Sequence, residues 1–491
     1  MKFLLPIIAM LLHNVTTAQS PVVYAKEPVP GFAYQRISVE DMRLDMLFWQ
    51  QIMEESHVNL YHSISKDSLE LLGANLLANY KDSLTHAEAV LLIGRLAAAL
   101  NEGHIGLPSS GISDSIYNNA IRFPYLLKQV SDDAWVVDRE ISYDPKLQPD
   151  SRIIEVNGIP VGQLNKRFRN YFGGMESWRN QQIGSYVRKL IFLEAMQPPY
   201  GIKAIQPNNQ TVRLEVQGFN KQVADSMNKM LAAGSRSAEP YTYRLLPEGF
   251  ACINYRQMVN PAMNPFDSFL NRSFKDMQLH QARGLIIDLR ENGGGNSQMG
   301  EMLLRYFNTK PYRLSSGMKW KVSTHYKKYI ELMKEKYDGG TAAFYLALKN
   351  GDVQTFDQIQ LKKSNPASYF FNGPVVVLTG PNTFSSANML ADGIRSFQLA
   401  TVIGEPTGEP GNDFGEMFHF MLPRTQIIAR ASSKMFRRAD GDEKNFQPIL
   451  PDILVHPVAG KDAVMEAAVR FLQERYISNK PSGSVTNTFL P

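Results

Sequence analysis

The chain has a single cysteine, Cys252, among 491 residues, which excludes an intrachain disulfide and any cysteine-rich metal centre. That residue lies in the apolar run GFACINY and reads as a small buried hydrophobe rather than a nucleophile. Basic clusters interleaved with aromatics are missing, so the formal charge of +5 is diffuse and no nucleic-acid partner is expected. The phosphate-binding motifs fail too. Gly293 to Gly295 are not followed by the Lys-Ser/Thr of a P-loop, and Gln298 stands where a dinucleotide fingerprint needs its third glycine. A nucleotide-binding enzyme is therefore a distant reading.

What is present begins with an export signal over residues 1–18. It consists of Lys2, an apolar run from Phe3 to Leu12 too short to span a bilayer, and the small-residue site TTA before Gln19. No cysteine near the cut offers a lipid anchor, and no membrane span is expected after signal removal. An exported chain without disulfides suits a bacterial periplasm or exterior, where folding rests on core burial.

Length and a hydrophobic content of 44% suit two or three domains. Residues 20–110 read as a helical N-terminal domain. DMRLDMLFWQQIMEE and THAEAVLLIGRLAAALNEGH carry apolar residues at three- and four-residue spacing, with Thr85 and Glu88 as a capping box and Gly103 placed to end the second helix. His57, His62 and His86 in this region read as surface or cap residues. Residues 120–220 change to short strands around an Asn157-Gly158 turn. RIIEVNGIPV followed by QLNKRFRNYF resembles a PDZ domain, although Asp150-Ser151 replaces the glycine that usually precedes this strand; the other reading is a β-rich insert without a ligand. Residues 240–475 alternate strand and helix as an α/β core, and residues 476–491 form a polar tail expected to be mobile.

Two strand-to-helix junctions carry the chemistry. In DLRENGGGNSQ the amides of Gly293 to Gly295 can approach a ligand closely, which suits an oxyanion hole or merely a tight turn. In VVVLTGPNTFSSANMLADGI, Ser385 and Ser386 open a helix, where serine is a preferred N-cap but also where a nucleophile gains from helix-end amides. Neither junction is decisive alone.

Taken together with LNEGHIGL, TVIGEPTG and LPDILV, the two junctions resemble the tail-specific, or C-terminal processing, serine peptidases, particularly the branch built like the tricorn core. The resemblance spans Leu100 to Val455. It implies a crotonase-like (ClpP-like) α/β peptidase core with a helical N-terminal domain and an inserted PDZ-like domain. It further implies Ser385 as nucleophile and His104 as base, with Ser386 and Gly293 or Gly294 as oxyanion donors. Glu443, in DGDEKNFQPILPD, is the candidate to orient the histidine. Two positions depart from the family pattern: Asn388 replaces an acidic residue, and Pro410 stands where many members carry a lysine base.

The expectation is an exported serine endopeptidase acting on peptide or protein substrates, with no metal or organic cofactor. Two rivals stand beside it: a catalytically inactive peptide- or lipid-binding member of the same fold, and a hydrolase of non-peptide esters. Reach between His104 and Ser385 discriminates the first.

Overall fold

The computed structural model describes residues 36–478 except 110, 143–145, 235–238, 260–262, 334–338 and 459–460. Residues 1–18, read as an export signal, and residues 479–491 of the expected tail lie outside the described residues.

At the centre is a six-stranded sheet in the spatial order Ile453–Leu454, Thr401–Gly404, Val375–Thr379, Leu285–Asp288, Ala251–Tyr255 and Tyr241–Leu245. All neighbours are parallel except the last pair. Leu285–Asp288 is buried at every position, as a parallel strand covered on both faces must be. One face packs Phe266, Leu270, Leu303 and Leu390 from the flanking helices. The other packs Val464, Ala468 and Leu472 of the helix Ala463–Ser478. Asp288 lies level with Leu378, so the two central strands end together, and both proposed junctions emerge at the carboxyl edge where open α/β sheets hold their ligands.

The α/β reading of residues 240–475 missed a second sheet. Four antiparallel strands, in the order Val353–Asp357, Gly317–Lys321, Ile428–Arg437 and Asp413–Met421, stand beside the central one. This sheet has no core of its own. Trp320, Phe418 and Ala431 join Trp49, Ile52 and Leu96 of the N-terminal helices and residues of the β-rich insert in one continuous core. Buried Asp45, in the helix Val39–Ser56, accepts from the backbone N–H groups of Arg424 and Thr425 at 3.2 and 2.7 Å. This ties the first helix to the turn between the last two strands. Burial raises the pKa of Asp45 despite those two bonds.

The N-terminal helices form where their sequence signals lie. Thr85 and Glu88 make the expected capping box on the helix His86–Ala99. Its end is set by Asn101, at φ 55°, rather than by Gly103. His57 and His86 are buried rather than at the surface; His57 Nε2 donates to Glu102 Oε2 at 2.8 Å while its Nδ1 accepts from Asn59 N–H. Ser432 Oγ donates to the second oxygen of Glu102. A buried, hydrogen-bonded carboxyl group is thus held two residues before His104.

The insert is an antiparallel sheet in the order Tyr125–Val130, Trp135–Glu140, Arg152–Val156, Tyr200–Ile205 and Thr211–Val216, with Ile159–Pro160 beside the third strand. Asn157 and Gly158 both have positive φ (49° and 78°) in the expected two-residue turn. The helices Val161–Arg169 and Glu176–Leu193 pack against this sheet. Among the described residues, no helix is long and apolar enough to cross a membrane.

Candidate active site

Ser385 sits between the strand Val375–Thr379 and the helix Ser386–Ser396, at φ 53° and ψ −126°. An L-residue rarely adopts this conformation, and such strain is held only where surrounding contacts impose it. Thr383 is one such contact: its hydroxyl accepts from Gly380 N–H at 3.1 Å and donates to the carbonyl of Leu289 at 2.9 Å. The Ser385 side chain makes no capping hydrogen bond to the helix. Its Oγ lies 3.2 Å from His104 Nε2.

His104 reaches this point from the loop after the helix His86–Ala99. Its ring packs on Phe384, centroids 4.8 Å apart, and Phe384 stacks on Trp178 of the insert at 3.9 Å. Trp178 Nε1 donates to the carbonyl of Gly103 at 3.3 Å. A Cβ on Gly103 would stand 2.8 Å from the Phe384 ring. That close approach, rather than helix termination, is what the glycine permits.

On its other side the imidazole meets two carboxylates. His104 Nδ1 is 2.9 Å from Glu409 Oε1 and 3.7 Å from Asp413 Oδ1. The second oxygen of Glu409 accepts from the backbone N–H of Ser385 at 2.6 Å. One side chain therefore fixes both the histidine and the backbone of the serine. Burial by itself pushes the His104 pKa down, but the facing carboxylates of Glu409 and Asp413 outweigh it and hold it well above 6.5. Burial and the neighbouring charge of Glu409 push Asp413 well above the usual carboxylate range, against the pull of His104. His104, Glu409 and Asp413 also bring potential ligand atoms within 4.8 Å of one another. The same atoms make the imidazole–carboxylate pairs, which accounts for the grouping without an ion.

Glu443 is not beside His104. Half-exposed, it pairs with Arg437 at 2.7 Å and Lys319 at 3.3 Å. Its loop still bears on the site through the backbone: Asn412 Nδ2 donates to the carbonyls of Asp442 and Asn445, and Gly411 N–H to that of Gln447. The loop braces the turn that carries Glu409. That glutamate stands in GEPTGEPGN, one residue before the position of the missing lysine, and the sequence reading passed over it.

The glycine junction closes on the serine junction. A Cβ on Gly294, at φ 95°, would lie 2.7 Å from Ser385 Cβ and 2.8 Å from Ser386 N. Asn292 knits the two together: its Oδ1 accepts from Gly294 N–H, its Nδ2 donates to the carbonyl of Tyr255, and its own carbonyl accepts from Phe384 N–H. Gly294 thus spends its N–H internally, while a Cβ on Gly293 would meet nothing within 4 Å. Ser386 opens its helix, where a backbone N–H has no intrahelical acceptor. Its hydroxyl is engaged with the carbonyl of Gly295 at 2.7 Å. Arg290 pairs with Asp288 at 2.7 Å and Asp462 at 2.6 Å, away from the chemistry.

These groups open onto a cleft of about 690 Å³, lined among others by His104, Ser385, Gly293, Ser386, Trp178 and Phe436. Three solved structures share the fold. A point mutant of CPAF has a TM-score of 0.63 at 12% identity over 91% of this chain and 99% of that one. Mature CPAF complexed with lactacystin scores 0.60 at 14% identity over 89% and 98%. Mature CPAF scores 0.59 at 14% over 89% and 96%. At these identities the likeness is one of fold. Among curated proteins no sequence matches the chain. Residues 250–455 match Peptidase family S41, which makes the chain a serine-type peptidase, a hydrolase. Within that class residues 250–455 are an S41 domain, the C-terminal processing family to which the sequence motifs pointed.

Proposed function

We propose that the chain is an exported serine endopeptidase whose triad is Ser385, His104 and Glu409. The observation that carries this is the 3.2 Å approach of His104 Nε2 to Ser385 Oγ, within reach of proton transfer. It favours an active enzyme over a binding protein that keeps the fold alone. Ser385 Oγ attacks the carbonyl carbon of the scissile peptide as its proton passes to His104 Nε2. The backbone N–H groups of Gly293 and Ser386 stabilise the oxyanion. Collapse of the tetrahedral intermediate breaks the C–N bond, and His104 returns the proton to the leaving amine. Water then attacks the acyl-enzyme with His104 again as base. Glu409 holds the imidazole with Nε2 toward the serine and offsets the charge it gains.

The β-rich insert acts as a PDZ-like module that holds an extended stretch of substrate beside the cleft. Its helix Glu176–Leu193 supplies Trp178, Gln182 and Tyr186 to the cleft wall, which supports a substrate path shared by the two parts. Placement in a periplasm or outside the cell rests on residues 1–18.

Fluorophosphonate labelling of the mature chain tests the triad. The parent labels, while Ser385→Ala and His104→Ala do not, although both fold. A folded parent that takes no label sinks the reading.

A further inference from the structure

Five acidic or basic side chains line the cleft: His104, Asp413, Glu416, Arg430 and Lys434. Four are matched. His104 faces Asp413, and Lys434 Nζ pairs with Glu416 at 3.0 Å while lying over the Trp320 ring. Glu416 also accepts from Tyr326 Oη at 3.0 Å. The remaining side chain, Arg430, has no carboxylate within ion-pair distance among the described residues. Its guanidinium makes a long contact of 3.5 Å from Nη2 to the carbonyl of Leu107, three residues beyond His104.

Arg430 is placed by strand geometry. Side chains of a strand alternate between faces, so Arg430, Ser432, Lys434 and Phe436 of the strand Ile428–Arg437 share one face. Ser432 meets Glu102 beneath the His104 loop, and the other three line the cleft. This wall of the cleft is therefore a row ending in a half-buried guanidinium. A planar fork of donors in a partly desolvated cleft is matched by a carboxylate.

We propose that Arg430 is a specificity-determining residue that binds a carboxylate of the peptide substrate. This rests on the peptidase reading of the same cleft, which peptide binding can test apart from cleavage. The carboxylate is either an aspartate or glutamate side chain or the substrate's own C-terminus; the chemistry at Arg430 is the same.

The test uses matched peptides in which glutamate replaces glutamine at each position in turn, each with a free or an amidated C-terminus. Cleavage is followed with the parent, and binding with Ser385→Ala. One carboxylate position raises kcat/KM, and tightens binding to Ser385→Ala, by about tenfold over its neutral partner, as a charge-assisted hydrogen bond predicts. Arg430→Gln brings that ratio to near one, and Arg430→Glu turns it in favour of lysine. Circular dichroism confirms that both variants fold. An effect within amidated peptides assigns a side chain, and one confined to the free terminus assigns the C-terminus. Ratios near one throughout, or a preference that survives in Arg430→Gln, overturn the proposal. Fluorophosphonate labelling without any carboxylate preference removes the role of Arg430 and leaves the peptidase. Binding preference without labelling removes the peptidase reading and leaves Arg430.

Discussion

Asn388 Nδ2 donates to the carbonyl of Pro410 at 2.8 Å. The two positions that depart from the family pattern therefore lean on each other, and through Pro410 they steady Glu409. Asn388 is buried, so Asn388→Ala should cost about 1–2 kcal/mol for the lost bond. Asn388→Asp should cost more, because a buried carboxylate would then face a carbonyl oxygen. Urea unfolding beside fluorophosphonate labelling rates checks this; an aspartate variant as stable as the parent contradicts it.

Glu409 and Glu443 offer a direct contrast. Glu409→Gln removes the charge beside His104 and should lower kcat by roughly 10³-fold or more, as loss of a triad carboxylate does in other serine peptidases. Glu443→Gln breaks two exposed pairs worth about 0–1 kcal/mol together and should leave kcat within about twofold. The reverse ranking in peptide turnover would return the orienting role to Glu443.

The pH profile follows from the two carboxylates at His104. Ser385 needs a neutral imidazole, and Glu409 and Asp413 hold the His104 pKa well above 6.5 against the effect of burial. The acid limb of kcat/KM should therefore lie above 6.5. Stability runs the other way. A group with a raised folded pKa contributes its full stabilisation below its unfolded pKa and loses it as pH rises through the folded one. The His104 contribution thus fades upward from 6.5, and that of Asp413, raised by burial and by Glu409, fades upward from 3.8. Asp413→Asn removes one facing carboxylate and should move the activity limb to lower pH. A limb that does not move rules out this account.

The two glycines of the junction should differ sharply. Gly294→Ala forces a Cβ to within 2.8 Å of Ser386 N at a φ of 95°, which should abolish labelling and destabilise the chain by about 2 kcal/mol or more. Gly293→Ala meets open space and should keep the parent's melting temperature within a few degrees. Thermal unfolding of both separates steric cost from catalytic loss.

Trp178 belongs to the insert yet stacks on Phe384, next to Ser385. Trp178→Ala should slow labelling by tenfold or so through a loosened His104 loop, with the rest of the insert still folded. Labelling at the parental rate would separate the insert from the site.

Local signals made much of this legible. Residues flanking Ser385 and Gly293 announced a strand running into a helix, and Thr85 with Glu88 announced a cap. Both depend on neighbours in sequence. The antiparallel sheet was hidden because Gly317–Lys321 pairs with Ile428–Arg437, more than a hundred residues away, and its alternation lay within a region read as α/β. Glu409 was missed for a different reason. The family pattern directed attention to a lysine at the next position and to a carboxylate farther along, whereas the hydrogen bond that Glu409 accepts from Ser385 N–H and its closeness to His104 could be seen only in three dimensions. His57 does cap the first helix, but the burial of His57 and His86 was not legible, because burial of a histidine depends on its partner, and Glu102 lies 45 residues from His57.

The separation of 281 residues between His104 and Ser385, with Glu409 later still and Trp178 in between, has a temporal meaning. A chain emerging from the ribosome holds its histidine long before it holds anything for that histidine to activate. On the proposed triad, cutting power arrives only once these distant segments have met, so an unfinished copy lacks it.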